Sequence, residues 1–237
     1  ASAAPDPILA LFASGEQGIY WRRSKSEFFQ LSDCTSPAST NETVGCIQDI
    51  SGNAHKISQT TEASRALLTS TALLFDGQDD YYIGSYADPG VSHRLAAAVF
   101  SYVPDSSRGI VIYGRFGPAN LIAIGANSNS DLEVSSHDLI SYTSPMPSGT
   151  VRILATREVA TNDFKVWVNG TAVTLTNDGT ALQSSLGAPI TIGSRADGAE
   201  VFSFNGEIAF NLLHHQNEPY SQAQIDLVNA AMAEITI

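Results

Sequence analysis

The sequence predicts an all-β fold: a β-sandwich over residues 71–237, preceded by an N-terminal extension and lead-in segment over 1–70 and closed by one C-terminal helix. Three observations predict it. From Leu73 onward, short β-type runs are separated by Gly, Pro, Asn, Asp and Ser, the pattern of a sandwich with many turns. Asn169-Gly170 stands between two such runs, and both central positions of a tight hairpin turn want positive φ. Near the C-terminus the apolar residues change to helical spacing.

The predicted strands cover 72–76, 81–84, 94–103, 109–115, 120–126, 131–135, 151–159, 163–168, 172–175, 189–193 and 205–214. Alternation is clearest where Phe164, Val166 and Val168 interleave with Lys165, Trp167 and Asn169. One set faces the core, which puts Trp167 either on a second buried face or on an exposed one. The helix starts at a capping box, Ser221 with Gln224, ahead of Ile225, Val228, Met232 and Ile235. Its apolar stripe is expected to pack on the sandwich. The N-terminal part is less regular: 8–13 reads as a short helix or strand and 32–61 as a polar loop. No internal repeat is present.

Apolar residues make up 43% of the 237 and charged residues 15%, enough apolar material for a sizeable core and too little charge for a disordered chain. Twelve Lys and Arg against 24 Asp and Glu leave a net charge of −12. That sign repels phosphate backbones and excludes nucleic acid as a partner. No run approaches the roughly 20 apolar residues of a membrane-spanning helix, so membrane insertion is not expected. Residues 1–10 lack the basic start and long apolar stretch of a secretory signal. Ala1 is compatible with a signal already removed or with loss of an initiator Met alone. Cys34 and Cys46 either close a loop disulfide, which suits an extracellular or particle-borne protein, or remain two thiols. Without a nearby His pair they make no zinc site.

The turn Leu74-Phe75-Asp76-Gly77-Gln78-Asp79-Asp80-Tyr81, the hairpin Val166-Trp167-Val168-Asn169-Gly170, the strand Ile190-Thr191-Ile192-Gly193-Ser194 and the run Phe204-Asn205-Gly206-Glu207-Ile208 occur in this order. Together they resemble the laminin-G-like group of the concanavalin A-like lectin and glucanase superfamily, over about residues 73–237. The resemblance implies a concanavalin A-like jelly roll. Ahead of it, Leu11 to Gly18 and Asp49 to His55 are similar to the lead-in of laminin-G-like proteins of bacteriophages and prophages. The chain departs from that pattern at Arg22 and Arg23, which follow Trp21, and at the two cysteines.

Asp76, Asp79 and Asp80 place three carboxylates in one turn, and calcium takes several oxygens from such loops. Members of the resembled group often hold calcium at the sandwich rim, which makes calcium the candidate cofactor. The other reading has Asp76 and Asp79 accepting turn amides while Asp80 is solvated. Glycoside cleavage calls for paired carboxylates, and the E-x-D-x-E run of the superfamily's glucanases is absent. Glu133, Glu158, Glu200 and Glu207 stand apart in sequence. No G-x-S-x-G elbow and no arguable triad occur. His214 and His215 adjoin and so face opposite ways, while His55 and His137 sit in polar loops. Tyr81, Tyr82, Tyr86, Tyr113, Tyr142 and the loop 127–130 are available to a glycan, or the tyrosines pack inside.

These readings lead to a chain that is not an enzyme: a non-catalytic, virion-borne module of a fibre, spike or decoration that contacts host-surface polysaccharide. Other virion subunits are the further partners, a homo-oligomer is implied by the resemblance, and the location is virion or extracellular. One alternative is a purely structural virion decoration or assembly protein without glycan binding, docking through residues 8–12. The other is a polysaccharide-cleaving enzyme with a degenerate motif.

Overall fold

The computed structural model describes residues 5–84, 86, 92–104, 109–115, 121–136, 140–158, 160, 161, 163–175, 190–194 and 203–237. Its strands, in chain order, are β1 Gln17–Arg22, β2 Phe28–Phe29, β3 Cys46–Gln48, β4 Lys56–Ser58, β5 Leu67–Leu68, β6 Leu73–Asp76, β7 Tyr82–Gly84, β8 His93–Tyr102 and β9 Gly109–Arg115. They continue with β10 Leu121–Ala126, β11 Asp131–Ser136, β12 Ile140–Pro145, β13 Val151–Glu158, β14 Phe164–Val168, β15 Thr171–Val173, β16 Ile190–Ile192 and β17 Asn205–Gln216. The one α-helix among the described residues, α1, spans Gln222–Ala233. The protein is therefore all-β, with two sheets and a single C-terminal helix.

The first sheet runs β15-β14-β13-β8-β17-β6-β5, and the second runs β12-β11-β10-β9-β16-β7-β4-β3-β2. Every paired strand is antiparallel. The long strand β17 holds β8 along one edge; its other edge is taken first by β6 and then by β1. Ile19, Trp21, Phe75, Ala96, Phe100 and Ile153 of the first sheet meet Ile112, Ile124 and Val134 of the second in one core. The opposite face of the first sheet is also covered. There Tyr20, Leu95, Val99, Leu154 and Leu212 pack under Ile225, Val228 and Met232 of α1. A strand buried on both faces gains from apolar residues at every position, which is why β8 reads as Leu-Ala-Ala-Ala-Val-Phe and does not alternate.

The helix begins where the sequence places it. The Ser221 hydroxyl accepts from the Gln224 amide, and the Gln224 side chain accepts from the Ser221 amide at 2.9 Å. At its far end Arg152 donates to the carbonyls of Met232 (2.9 Å) and Ile235 (2.7 Å), satisfying oxygens that a helix leaves unpaired. The Asn169-Gly170 turn has φ of 50° and 80°, the double positive value its hairpin requires.

Two N-terminal features differ from expectation, and a third settles one of two readings. Residues 7–12 form a 3-10 turn whose Ile8, Leu11 and Phe12 are buried beneath α1. These side chains belong to the chain's own core, so they are not presented to a partner's sheet. The stretch 32–61 contains β3 and β4, which extend the second sheet; their short, mixed sequences carry no periodicity. Cys34 and Cys46 are joined in a disulfide. Strand β12 also went unanticipated from sequence, its Ser, Thr and Tyr forming only half of an alternating pattern.

Candidate functional site

Three chemical groupings stand out among the described residues. The first is the turn after β6. One oxygen from each of Asp76, Asp79 and Asp80 lies within 4.8 Å of the others. Asp76 Oδ1 accepts from the Gln78 amide (2.8 Å), Asp79 Oδ2 from the Ser64 hydroxyl (2.8 Å), and Asp80 Oδ2 from the Asp76 amide (3.0 Å). Asp76 and Asp79 are exposed, but Asp80 is buried, which corrects the reading of a solvated Asp80. Burial, and then the charges of Asp76 and Asp79, push the Asp80 carboxyl up from 3.8 to about 6, against the opposing pull of the Asp76 amide. This all-oxygen cluster offers a coordination site consistent with calcium or another divalent ion.

The second grouping is a row of basic side chains at the end of the core between the sheets. Arg157 of β13 pairs with Arg94 of β8, and Arg94 with His215 of β17. Residues paired across a sheet share a face, so the three lie side by side. All three are buried, Arg94 to 1% exposure. Burial, and secondarily Arg94, lowers the Arg157 pKa to about 10. Burial, then Arg94 and His214, hold His215 well below the usual histidine range. His215 Nδ1 lies 3.0 Å from the Tyr86 hydroxyl, whose ring stands edge-on to both His215 and His55.

The third is a cavity of about 110 Å³ on the outer face of the first sheet, at the N-terminal end of α1. His93, Glu158, Asp163, Lys165, Trp167 and Tyr220 contribute to its wall. The alternation of β14 creates it: Phe164 and Val166 enter the core between the sheets, which turns Lys165 and Trp167 outward. Trp167 is half-buried against the helix-side core, resolving its two sequence readings in favour of the second face. His93 Nδ1 donates to the Asn217 carbonyl (3.0 Å), leaving Nε2 directed at Glu158 at 3.6 Å. Lys165 and Asp163 form an exposed pair at 2.8 Å. An aromatic wall with cations and carboxylates around it can stack on a sugar's apolar face and bond its hydroxyls and acid groups.

The remaining candidates are dispersed. Glu133 accepts from the Ser135 hydroxyl (2.9 Å), and Glu207 lies 3.4 Å from the Thr69 hydroxyl. Tyr82 is buried, its hydroxyl donating to the Val44 carbonyl (2.8 Å). Asn127 Oδ1 accepts from the amides of Asn129 and Asp131, which makes 127–130 a structured turn. His214 and His215 do face opposite ways, one toward α1 and one into the space between the sheets. His137, Glu200 and the Tyr113 side chain lie outside the described residues. Sequence reading overlooked the arginine row and the Trp167 cavity, because both are assembled from strands far apart in the chain. The one local signal was the outward parity of Lys165 and Trp167.

No protein-family model matches the chain, and no curated protein matches it. Solved structures do. A Trypanosoma rangeli sialidase in complex with sialic acid matches 99% of this chain and 35% of its own, at a TM-score of 0.60 and 13% identity. A second structure of Trypanosoma rangeli sialidase matches 94% and 34%, at 0.57 and 13%. Botulinum neurotoxin type C, whose passage into cells depends upon interaction with two ganglioside molecules, matches 78% and 48%, at 0.51 and 13%. The chain spans about a third of the sialidases' length, and identities this low carry the fold alone.

These matches correct three expectations. The similar folds are those of sialidases and a neurotoxin, in place of the concanavalin A-like, laminin-G-like proteins the motifs resembled; each motif is a turn, hairpin or strand of five to eight residues that different β-rich proteins can share. The virion setting of fibre, spike or decoration falls too, because the similar structures are of sialidases and a neurotoxin. The expectation of a non-enzyme falls as well: the fold is shared with sialidases, and Glu158, isolated in sequence, shares a cavity with Asp163 and His93.

Proposed function

We propose that this chain is the sugar-holding β-sandwich of a sialidase-type activity on sialylated glycans, with the cavity at Trp167 as its glycan site. The cavity is the observation that carries the reading. Trp167 would stack on the apolar face of the sugar, Lys165 and His93 would face its carboxylate, and Glu158 and Asp163 would accept its hydroxyls. The fold likeness to sialidases over nearly the whole chain supports a glycan partner of this class. The disulfide suits an extracellular setting, and no helix of the described residues is long and apolar enough to cross a membrane.

In this reading the two sheets form a jelly-roll sandwich built mainly by 71–237, with 1–70 as a lead-in that adds strands to both. Calcium at Asp76, Asp79 and Asp80 would stiffen the rim by neutralising carboxylates that burial and mutual repulsion otherwise destabilise. The test is incubation of the purified chain with 3′-sialyllactose and with lactose, following bound sugar and released sialic acid. Saturable binding of the sialylated sugar alone supports the proposal, and release that disappears in Glu158→Gln would place the cleavage chemistry in this cavity. Equal or absent binding of the two sugars, with no release, overturns it.

A further inference from the structure

At the opposite end of α1 from Trp167 lies a second pocket, of about 190 Å³, where the end of β1 meets the turn before β6 and the segment after the helix. Two consecutive arginines, Arg22 and Arg23, open onto it, in a chain with only 12 Lys and Arg. Around them stand the hydroxyl-bearing residues Ser24, Ser70, Thr71 and Thr236.

The Arg22 side chain is 9% exposed, yet it is poorly satisfied. Among the described residues it lies beside the Tyr20 hydroxyl and meets its two acids only at 3.7 Å (Asp6) and 3.9 Å (Glu234), beyond hydrogen-bond reach, while its Nε has no hydrogen-bond partner. A guanidinium this loosely held keeps hydrogen-bonding capacity at its terminal nitrogens that a ligand in the pocket can take up. Asp6 is held short of hydrogen-bond reach by its other bonds. Its Oδ1 already accepts from the Ile8 amide (3.1 Å) and its Oδ2 from the Tyr20 hydroxyl (2.8 Å). Glu234 is 69% exposed and can turn into solvent. Arg23 is fixed beside it, with Nε donating to the Thr69 carbonyl (2.9 Å) and the guanidinium above the Phe28 ring, so its terminal nitrogens remain for a ligand.

We infer that the Arg22–Arg23 pocket is a binding site for a tetrahedral oxyanion, sulfate or phosphate, distinct from the glycan cavity. Guanidinium groups present forked donors that match such oxyanions, and hydroxyls placed around them add donors out of one plane, which a tetrahedral group uses and a planar carboxylate does not. The inference stands on this pocket alone and is independent of the reading of Trp167.

The test is an NMR titration of the intact chain with sodium sulfate and with sodium phosphate, against sodium chloride at matched ionic strength. N-acetylglucosamine 6-sulfate, N-acetylglucosamine and N-acetylneuraminic acid are run in parallel. Saturable shifts of the Arg22, Arg23, Thr71 and Thr236 amides with sulfate or phosphate are expected. Arg22→Gln should weaken binding about tenfold or more, the factor that 1.4 kcal/mol represents. Glu234→Gln, at an exposed position where folding is not at stake, should tighten it by removing a repelling charge. Tighter binding of the sulfated sugar than of free sulfate would mark a glycan-borne ester as the source; equal binding would mark the free ion. The inference is overturned if sulfate and phosphate act no differently from chloride, if only N-acetylneuraminic acid saturates the pocket, or if neither substitution changes the affinity.

Discussion

The Tyr20 hydroxyl donates to Asp6 Oδ2 at 2.8 Å, beneath the helix, while the other oxygen of the same carboxylate caps the first 3-10 turn through the Ile8 amide. One buried side chain thus ties the start of the described chain to β1. Burial first, then the charge and hydrogen bond of Asp6, push the Tyr20 phenol far above its usual range, against the opposing pull of Arg22. It acts as a structural donor and never as a phenolate.

Removing either partner should loosen this anchor unequally. Asp6→Ala leaves the Tyr20 hydroxyl and the Ile8 amide without their acceptor and should cost about 2–3 kcal/mol, whereas Tyr20→Phe loses one bond and should cost about 1–2 kcal/mol. Urea unfolding of the two variants checks the order. An Asp6→Ala protein as stable as the parent would show that the anchor contributes nothing.

The bridge between Cys34 and Cys46 closes a short loop, with a sequence separation of 12. Loop-closure entropy at this length is about 3 kcal/mol, so reduction by dithiothreitol should lower the melting temperature by several degrees. The paired substitution Cys34→Ser with Cys46→Ser should reproduce that shift.

How much of this was legible in the sequence follows from locality. The hairpin at Asn169-Gly170 and the capping box at Ser221 and Gln224 were legible because each depends on residues within four positions, and both stand as read. Strands such as β9 were legible from composition and turn punctuation. What escaped was non-local. Arg157, Arg94 and His215 become neighbours only through the ladder β13-β8-β17, and the Trp167 cavity needs α1 folded back over β14. The short motifs that suggested another family were read as lineage when they encode turn chemistry. Gly77 and Gly193 adopt φ of 78° and 85°, which any protein with those turns requires.

Asp80 should make stability depend on pH in a definite direction. Its folded pKa of about 6 exceeds its ordinary 3.8, so between these values the folded chain holds a proton that the unfolded chain releases. The contribution of this group to stability is therefore fully present below about pH 4 and lost as pH rises through about 6. Calcium should reverse the loss, raising the melting temperature more at pH 7 than at pH 4.5. Asp80→Asn should flatten the slope and abolish the calcium effect. A calcium effect undiminished in Asp80→Asn would remove the metal from this turn.

His214 works in the opposite direction. Its Nε2 lies 2.6 Å from the Leu11 carbonyl, so it must donate, and its Nδ1 lies 2.9 Å from the oxygen of the Tyr220 hydroxyl, which donates its own proton to the His214 carbonyl at 2.8 Å. Burial lowers its pKa, against the raising influence of the Leu11 carbonyl and Glu16. Acidification through its ordinary 6.5 protonates the unfolded chain first, so the folded state should lose stability as pH falls below that value. His214→Gln, which can still donate to Leu11, should remove this part of the pH dependence in urea titrations at pH 7.5 and 5.5.

The central claim is that Trp167 and its neighbours hold a sialylated sugar. Calorimetric titration of 3′-sialyllactose into the parent chain and into Trp167→Ala tests it most directly, with circular dichroism confirming that both are folded. Loss of an aromatic stacking wall is worth about 0.5–1.5 kcal/mol beyond the apolar area it covers, and about 1.4 kcal/mol is tenfold, so the account predicts saturable binding by the parent that weakens about tenfold in the variant. Equal affinities in the two proteins, or no binding by either, would contradict it.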